Sequence, residues 1–408
     1  MADLTEHPIL ARVHDDDGSA LSKKFGPGLT NYYSGSPLNR VSFLREDHGF
    51  LSAAFASADA QFMVLDDFAP LVHDSATIKA VRRDDVLPIT GPDPFGSSEK
   101  DLVNAFDSTV TKPLIIFLGI WEDTESEFRH RIFRGRPWFA VDITPRGSFA
   151  DVARTLVDRL TQDGSTFLRA TRQNTIHAHF AAMYGQARGI VDWNLRNQFC
   201  AGCGCPTMPI YGGYKRVCPP TDRNGTGVAQ ARKDCPTRNG ITNISFPRSD
   251  PTMIAAVVSA DGKKMLLGRQ KRWPPGFYST LAGFLEPGES VEEGVRREVW
   301  EESGVKVGRV VLHSSQPWPY PASLMIGAVA SALPDGEDIH LGHDPELEDA
   351  KWIPLEEVRQ ALKRPTRLDT VHTANGTGNK ESTLLLPPHT AIANRLIAAI
   401  CDGYASHE

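Results

Sequence analysis

The chain has no apolar run long enough to span a bilayer. Its longest strongly apolar stretch is the eight residues Leu114 to Trp121, which suits a buried strand. The opening MADLTEHPILARVHDDD has neither a basic n-region nor an apolar h-region, so no secretory signal is read and a soluble, intracellular protein is expected. The ending Ser406-His407-Glu408 does not match the SKL type of peroxisomal address. Positive charge is not in excess: 44 Lys and Arg against 50 Asp and Glu leave a net charge of −6. No global basic field therefore draws the chain onto nucleic acid or anionic lipid. Cysteine is scarce, six in 408 residues, yet five of the six lie between Cys200 and Cys235. In a long chain without a secretory signal, such clustering points to metal rather than to disulfides.

The length suggests two or three domains, and no internal repeat is visible. Residues 1–36 are polar and rich in Gly, Ser, Asp and Pro, and read as a loose arm. Over 37–190, apolar runs at Gln61 to Val72, Pro113 to Trp121 and Trp138 to Ile143 read as strands. Helical patterns follow near 149–161 and 176–195, giving an α+β domain without a legible motif. The cysteine region spans 195–245. Inside it, the polar excursion Pro219 to Asp234 reads as flexible. From 246 to 408 a second α/β domain is expected. Its strands fall near 252–259, 264–269, 308–313, 324–332 and 350–353, and its helices near 290–303, 354–363 and 388–402. Residues 364–382 read as a mobile surface loop.

The chemistry concentrates in Gly283 to Val305, GFLEPGESVEEGVRREVWEESGV. Ser290 with Glu293 three residues later forms a capping-box pattern, so a helix is expected to start there. It should run to about Ser303, with Gly304 stopping it. On that helix Glu298, Glu301 and Glu302 sit at i, i+3 and i+4 and share one face. Clustered carboxylates repel unless cations fill the gap, and hard oxygen ligands suit Mg2+ or Mn2+. Such ions bridge phosphate oxygens and sharpen a bound water as nucleophile. Gly283 and Gly288 let the preceding loop bend and approach a substrate closely. Arg297 reads as a structural partner for Glu289. The plain alternative is a solvated acidic helix, which suits Glu292 and Glu293 better than the three glutamates set among the glycines and the arginine.

This stretch fits the Nudix box at all its fixed positions: Gly283, Glu289, Arg297, Glu298, Val299, Glu301, Glu302, Gly304 and Val305. A second segment, Ser315 to Ser323 (SQPWPYPAS), resembles the signature just downstream of the box in the NADH pyrophosphatase branch of Nudix hydrolases. Only Tyr320 departs, an aromatic for an aromatic. Its three prolines fix a rigid, non-helical backbone. That backbone would present Trp318 and Tyr320 for stacking and Gln316 and Ser323 for hydrogen bonding. The alternative is a Pro-rich packed turn with core aromatics. Further resemblance lies in Trp193-Asn194, Phe199-Cys200, Phe246-Pro247-Arg248 with Asp250-Pro251, and Leu386-Pro387-Pro388.

The resemblance implies a Nudix fold, a mixed sheet sandwiched by helices, preceded by a zinc ribbon and a degenerate Nudix-like α+β domain. It implies metal-dependent cleavage of the pyrophosphate of NADH or NAD+ to nicotinamide mononucleotide and AMP, and NAD-cap removal from RNA in some members. It places a further metal ligand at Glu346 beside Glu298, Glu301 and Glu302, with Glu301 or Glu302 as the general base. It places a ring-stacking role at Phe284, and Phe246 replaces a tyrosine at the substrate pocket. A homodimer is implied, and a peroxisomal or cytoplasmic location. ADP-ribose or another nucleoside diphosphate derivative is the alternative substrate. A non-enzymatic zinc-ribbon module is the third reading, disfavoured by the intact box. RNA would need a basic approach, which Arg269, Lys271 and Arg272 could supply, though short basic runs are usually solvated surface.

Cys200, Cys203 and Cys218 match the branch's first three zinc ligands, and it expects a fourth cysteine at Thr221. Cys235, beyond the excursion, and Cys205 compete for that place. A loop inserted in the second knuckle costs little, whereas Cys205 would distort the first. Two cysteines on each of two facing knuckles make a closed, structural S4 zinc site. Cys401, on the last expected helix, reads as a small core residue.

Overall fold

The computed structural model describes residues 29–169, 175–239, 245–364 and 384–403. All of the expected loop at 364–382 but its first residue, and most of the expected arm, lie outside them. Two compact units emerge. One holds residues 35–248 with 319–322, and the other holds 29–34, 249–318 and 323–403, each within the described ranges.

In the first unit, helix α1 (His48–Ala56) precedes strands β1 (Gln61–Asp66) and β2 (Ala69–Val72). The apolar run Gln61 to Val72 is therefore two strands rather than one. Asp67 and Phe68, both at positive φ, make the tight turn between them. Strand β3 (Leu114–Glu122) pairs antiparallel with β4 (Phe133–Asp142), which runs parallel to β1. Helices α2 (Ala150–Thr161) and α3 (Ala178–Arg196) follow. Phe62 and Val64 of β1 and Phe139 and Val141 of β4 meet Phe50 and Phe55 of α1 and Leu156 and Leu160 of α2 in one core.

The cysteine region continues this unit with two short hairpins. The first pairs β5 (Met208–Ile210) with β6 (Lys215–Val217), and the second pairs β7 (Thr221–Asp222) with β8 (Gln230–Ala231). The second hairpin is the polar excursion, and it is not loose. The Asp222 carboxylate accepts from the Ser108 N–H (2.9 Å) and pairs with Arg232, while Asp107 accepts from the Gly225 N–H (3.0 Å). Its polar residues bond one another and the preceding domain, which composition alone does not reveal.

The second unit is built on β9 (Asp250–Val258), whose apolar run marks a strand buried on both faces. Met253, Ala255 and Val257 enter one core, Ile254, Ala256 and Val258 the other, as the two-residue period of a strand dictates. Strands β10 (Lys264–Gln270) and β11 (Leu281–Phe284) pair antiparallel with β9. Helix α4 (Val291–Ser303) covers one face through Val295 and Val299. Strands β12 (Val307–Trp318), β13 (Ser323–Ala332) and β14 (Leu347–Pro354) and helices α5 (Leu355–Leu362) and α6 (Ile392–Cys401) complete the unit. Leu396, Ile397 and the buried Cys401 of α6 fill the other core. The sheet order is β12-β13-β9-β10-β14, with β11 beside β9, and β9 and β13 are parallel. This is the expected mixed sheet between helices.

Strand β12 runs through the proline-rich segment, so Pro317 pairs with Leu324. It is the outermost strand, where a missing backbone N–H is tolerated. Asn31, Tyr32 and Tyr33, at the end of the expected loose arm, are buried. Asn31 donates its amide to the Ser315 carbonyl at 2.8 Å. Among the described residues, no helix is long and apolar enough to cross a membrane.

Candidate active site and zinc centre

The capping box predicted at Ser290 and Glu293 is present in both directions, and Gly304 ends α4 in the left-handed conformation. Gly283 of β11 pairs with Met253 and lies against the helix. A Cβ there would overlap the Glu298 carboxylate, so the glycine makes room for that acid. Arg297 grips Glu289 at two points, Nε to Oε1 at 2.7 Å and Nη2 to Oε2 at 2.9 Å. Its Nη1 reaches Glu298 (3.0 Å) and Glu301 (2.9 Å). This holds Glu289 ionised well below its usual range and ties three carboxylates into one lattice.

Glu302 is different. It is 3% exposed, and its Oε2 has no hydrogen-bond partner among the described residues. Burial pushes its carboxyl up to about 9, and the acids at Glu346, Glu298, Asp344 and Glu301 add to the shift. Glu298 is also raised, by burial first, against the opposing pull of Arg297. A buried carboxylate oxygen without a donor, facing further acids, is costly as an anion. It suits a divalent cation, which supplies the missing charge. The donor set is carboxylate oxygens, which suit a hard divalent cation rather than a thiophilic metal.

Glu346 stands just before β14. Its Oε1 accepts from Gln270 Nε2 at 2.6 Å, and Gln270 Oε1 accepts from Arg272 Nε at 2.8 Å. Sequence reading missed Gln270, because its contact crosses 76 positions. Arg269 is not available as a basic approach: it pairs with Glu348 and donates to the Trp273 carbonyl, and its side chain is 12% exposed.

The expected substrate residues divide. Phe284 is well exposed and Phe246 is partly so, each open to a ring. Trp318 meets Tyr33 edge-on (6.0 Å), and Tyr320 lies under the Arg188 guanidinium (4.9 Å). Ser323 is nearly buried. Gln316, expected to contact substrate, is held inside the fold. It is 1% exposed. Its amide donates to the Tyr32 and Thr390 carbonyls and accepts from the Ile392 N–H, each at 2.9 Å. It fixes the start of α6 and the residues before Gly35, with little capacity left for a ligand.

In the cysteine region, the thiols of Cys200, Cys203, Cys218 and Cys235 lie within 4.8 Å of one another. The Gly202 N–H points at Cys200 Sγ (3.4 Å), and the Gly204 N–H closes the first knuckle on the Cys200 carbonyl (2.8 Å). Cys218 and Cys235 flank the second hairpin. Four sulfurs at this spacing fit a tetrahedral ion. Cys205 stands outside the four, although it neighbours them.

Family models agree with this layout. The NUDIX domain matches residues 250–373, the NADH pyrophosphatase-like rudimentary NUDIX domain 59–193, and the NADH pyrophosphatase zinc ribbon domain 195–224. The NAD-capped RNA hydrolase of Schizosaccharomyces pombe is 33% identical over 385 residues, covering 91% of this chain and 92% of that protein. The chain belongs to the NADH pyrophosphatase branch of the Nudix hydrolases. The human NAD-capped RNA hydrolase NUDT12 is 33% identical, across 90% of this chain and 72% of its own length. Human mitochondrial NAD(P)H pyrophosphatase NUDT13 is 35% identical across 64% of this chain and 66% of its own. The zinc ribbon is thus a family feature of this Nudix hydrolase, although its matched span ends before Cys235.

Proposed function

We propose that this Nudix hydrolase splits the pyrophosphate of NADH or NAD+ into nicotinamide mononucleotide and AMP, and removes NAD caps from RNA by the same cut. The observation that carries the reading is Glu302, a buried carboxylate with an unpartnered oxygen on a complete Nudix helix. Glu298, Glu301, Glu302 and Glu346 would hold Mg2+ or Mn2+. When bound, the cations neutralise diphosphate oxygens and make water a stronger nucleophile.

The remaining roles follow from each residue's surroundings. Glu301 is the more accessible of the two candidate bases, since Glu302 is enclosed. Its bond to Arg297 Nη1 (2.9 Å) fixes its direction without sealing it from water. Arg297 and Glu289 brace the helix rather than touch substrate. Phe284 and Trp318, and separately Phe246 and Tyr320, are the proposed ring-stacking residues, with Ser323 as a minor hydrogen-bonding one. Zn2+ on Cys200, Cys203, Cys218 and Cys235 would be structural, since four thiolates leave no open position. A homodimer and a peroxisomal or cytoplasmic location complete the reading, on the resemblance alone.

The test is incubation of the purified protein with NADH and Mg2+ or Mn2+, with products resolved by chromatography and Glu302→Gln run alongside. AMP and reduced nicotinamide mononucleotide from the native protein, and nearly none from the variant, are expected. No cleavage of NADH by folded, zinc-loaded protein would sink the substrate assignment. NAD+, ADP-ribose and NAD-capped RNA, assayed in parallel, rank the alternatives.

A further inference from the structure

Gln270 is the last residue of β10, where pairing with β14 slips by one. Arg269 faces Asp349, but Gln270 faces Leu347, so Glu348 is the extra residue. A bulge re-aims the side chains around it. Here Arg269 takes Glu348 as its ion-pair partner, and Gln270 extends to Glu346, one residue before the strand. The amide of a glutamine can be placed either way round, and its partners decide. Arg272 has only donors, so its Nε at 2.8 Å requires Gln270 to present its oxygen there. The Gln270 nitrogen must then point at Glu346 Oε1, at 2.6 Å. One oxygen of Glu346 is thereby engaged and its rotation restricted, which leaves Oε2 to turn toward a cation.

The loop that carries Glu346 is held from its other side as well. His343 stacks on Trp300 of α4 (centroids 4.3 Å apart, planes 26°), and the Asp344 N–H donates to the Glu301 carbonyl at 3.2 Å. These contacts fix the loop's backbone, but none of them sets the rotation of the Glu346 carboxylate. Among the described residues, the Gln270 amide is the hydrogen-bond donor to that carboxylate.

We propose that Gln270, locked by Arg272, is a positioning residue that orients Glu346 for the divalent cation. The inference rests on the reading of Glu346 as a metal ligand. Partners of this kind behind a ligand commonly change metal affinity by about 10–100-fold when removed.

The test is Mn2+ binding to the full zinc-loaded chain without substrate, followed by electron paramagnetic resonance of the free ion. Five proteins are compared: native, Gln270→Leu, Glu346→Gln, the double variant and Arg272→Leu, with melting temperature recorded for each. Gln270→Leu should weaken Mn2+ binding about ten-fold with its melting temperature near native. Glu346→Gln should weaken it at least as much, and Gln270→Leu should add nothing in that background. Arg272→Leu should reproduce a smaller part of the loss. Native-like Mn2+ affinity in folded Gln270→Leu, or an equal further loss when it is added to Glu346→Gln, overturns the positioning role. Unchanged affinity in Glu346→Gln would remove the ligand itself, and the inference with it, while leaving NADH cleavage to be judged by its own assay.

Discussion

Gly283 and Glu298 share one space: a Cβ on the glycine would stand where the glutamate's carboxylate now lies. The glycine sits in a paired strand and the glutamate on the helix across from it. The first position of the motif thus serves the acid fifteen residues later. Gly283→Ala should push that flexible side chain aside without breaking the sheet. The expected result is a loss of NADH turnover of about 100-fold, as for an ångström-scale misplacement, with little change in melting temperature. A variant with native turnover would mean that Glu298 tolerates displacement.

Glu302 should make the metal-free protein sensitive to base. Its carboxyl is raised to about 9 in the fold, against an ordinary value near 4.3 in the unfolded chain. Between those values the native state binds more protons than the unfolded one, so stability falls as pH rises. It is fully present below the unfolded value and lost up to the folded one. Glu302→Gln cannot ionise. In chelator, it should melt close to the native protein at pH 5 and on the order of 5 °C above it at pH 8. Mg2+ should close that gap by stabilising the native protein. Identical melting curves at pH 8 would place Glu302 in a more hydrated setting.

Cys235 and Cys205 separate cleanly in a zinc assay. Cys235→Ser should purify with much less zinc, measured by mass spectrometry, and with a melting transition lowered or broadened, since structural zinc contributes folding free energy directly. Cys205→Ser should keep near-stoichiometric zinc. The reverse pattern would assign the fourth thiolate to Cys205.

Gln316 bonds three backbone groups, two carbonyls and one N–H. Gln316→Ala removes all three bonds, at about 1 kcal/mol each. Chemical denaturation should show a loss of about 3 kcal/mol, with KM for NADH unchanged in the folded fraction. A raised KM at native stability would restore the substrate contact that the sequence suggested.

The most legible features were those whose spacing is local. Ser290, Glu293, Arg297 and the glutamates of the box lie within one helix, so a 3.6-residue period places them. The run near 252–259 read as a strand, as the structure has it. Features that depend on long-range pairing were hidden. The turn at Asp67 and Phe68 lies inside an apolar run with no glycine to mark it. Asp222 and Arg232 looked like polar loop residues because their bond forms only once the hairpin closes. Gln316 stands in a motif of exposed character and is nonetheless buried. Gln270 reaches Glu346 through a register slip, and no periodicity announces a slip.

The late position of Cys235 has a consequence during synthesis. Cys200, Cys203, Cys205 and Cys218 leave the ribosome first, and the last sulfur of the set arrives only after the Thr221–Asp222 and Gln230–Ala231 strands. That hairpin is pinned to Asp107 and Ser108, which belong to a part of the chain already made. On the proposed zinc set, docking of this hairpin on the earlier domain favours bringing Cys235 to the other three sulfurs. The rate at which zinc escapes to a chelator would then gauge the health of that domain, although the domain itself contributes no sulfur.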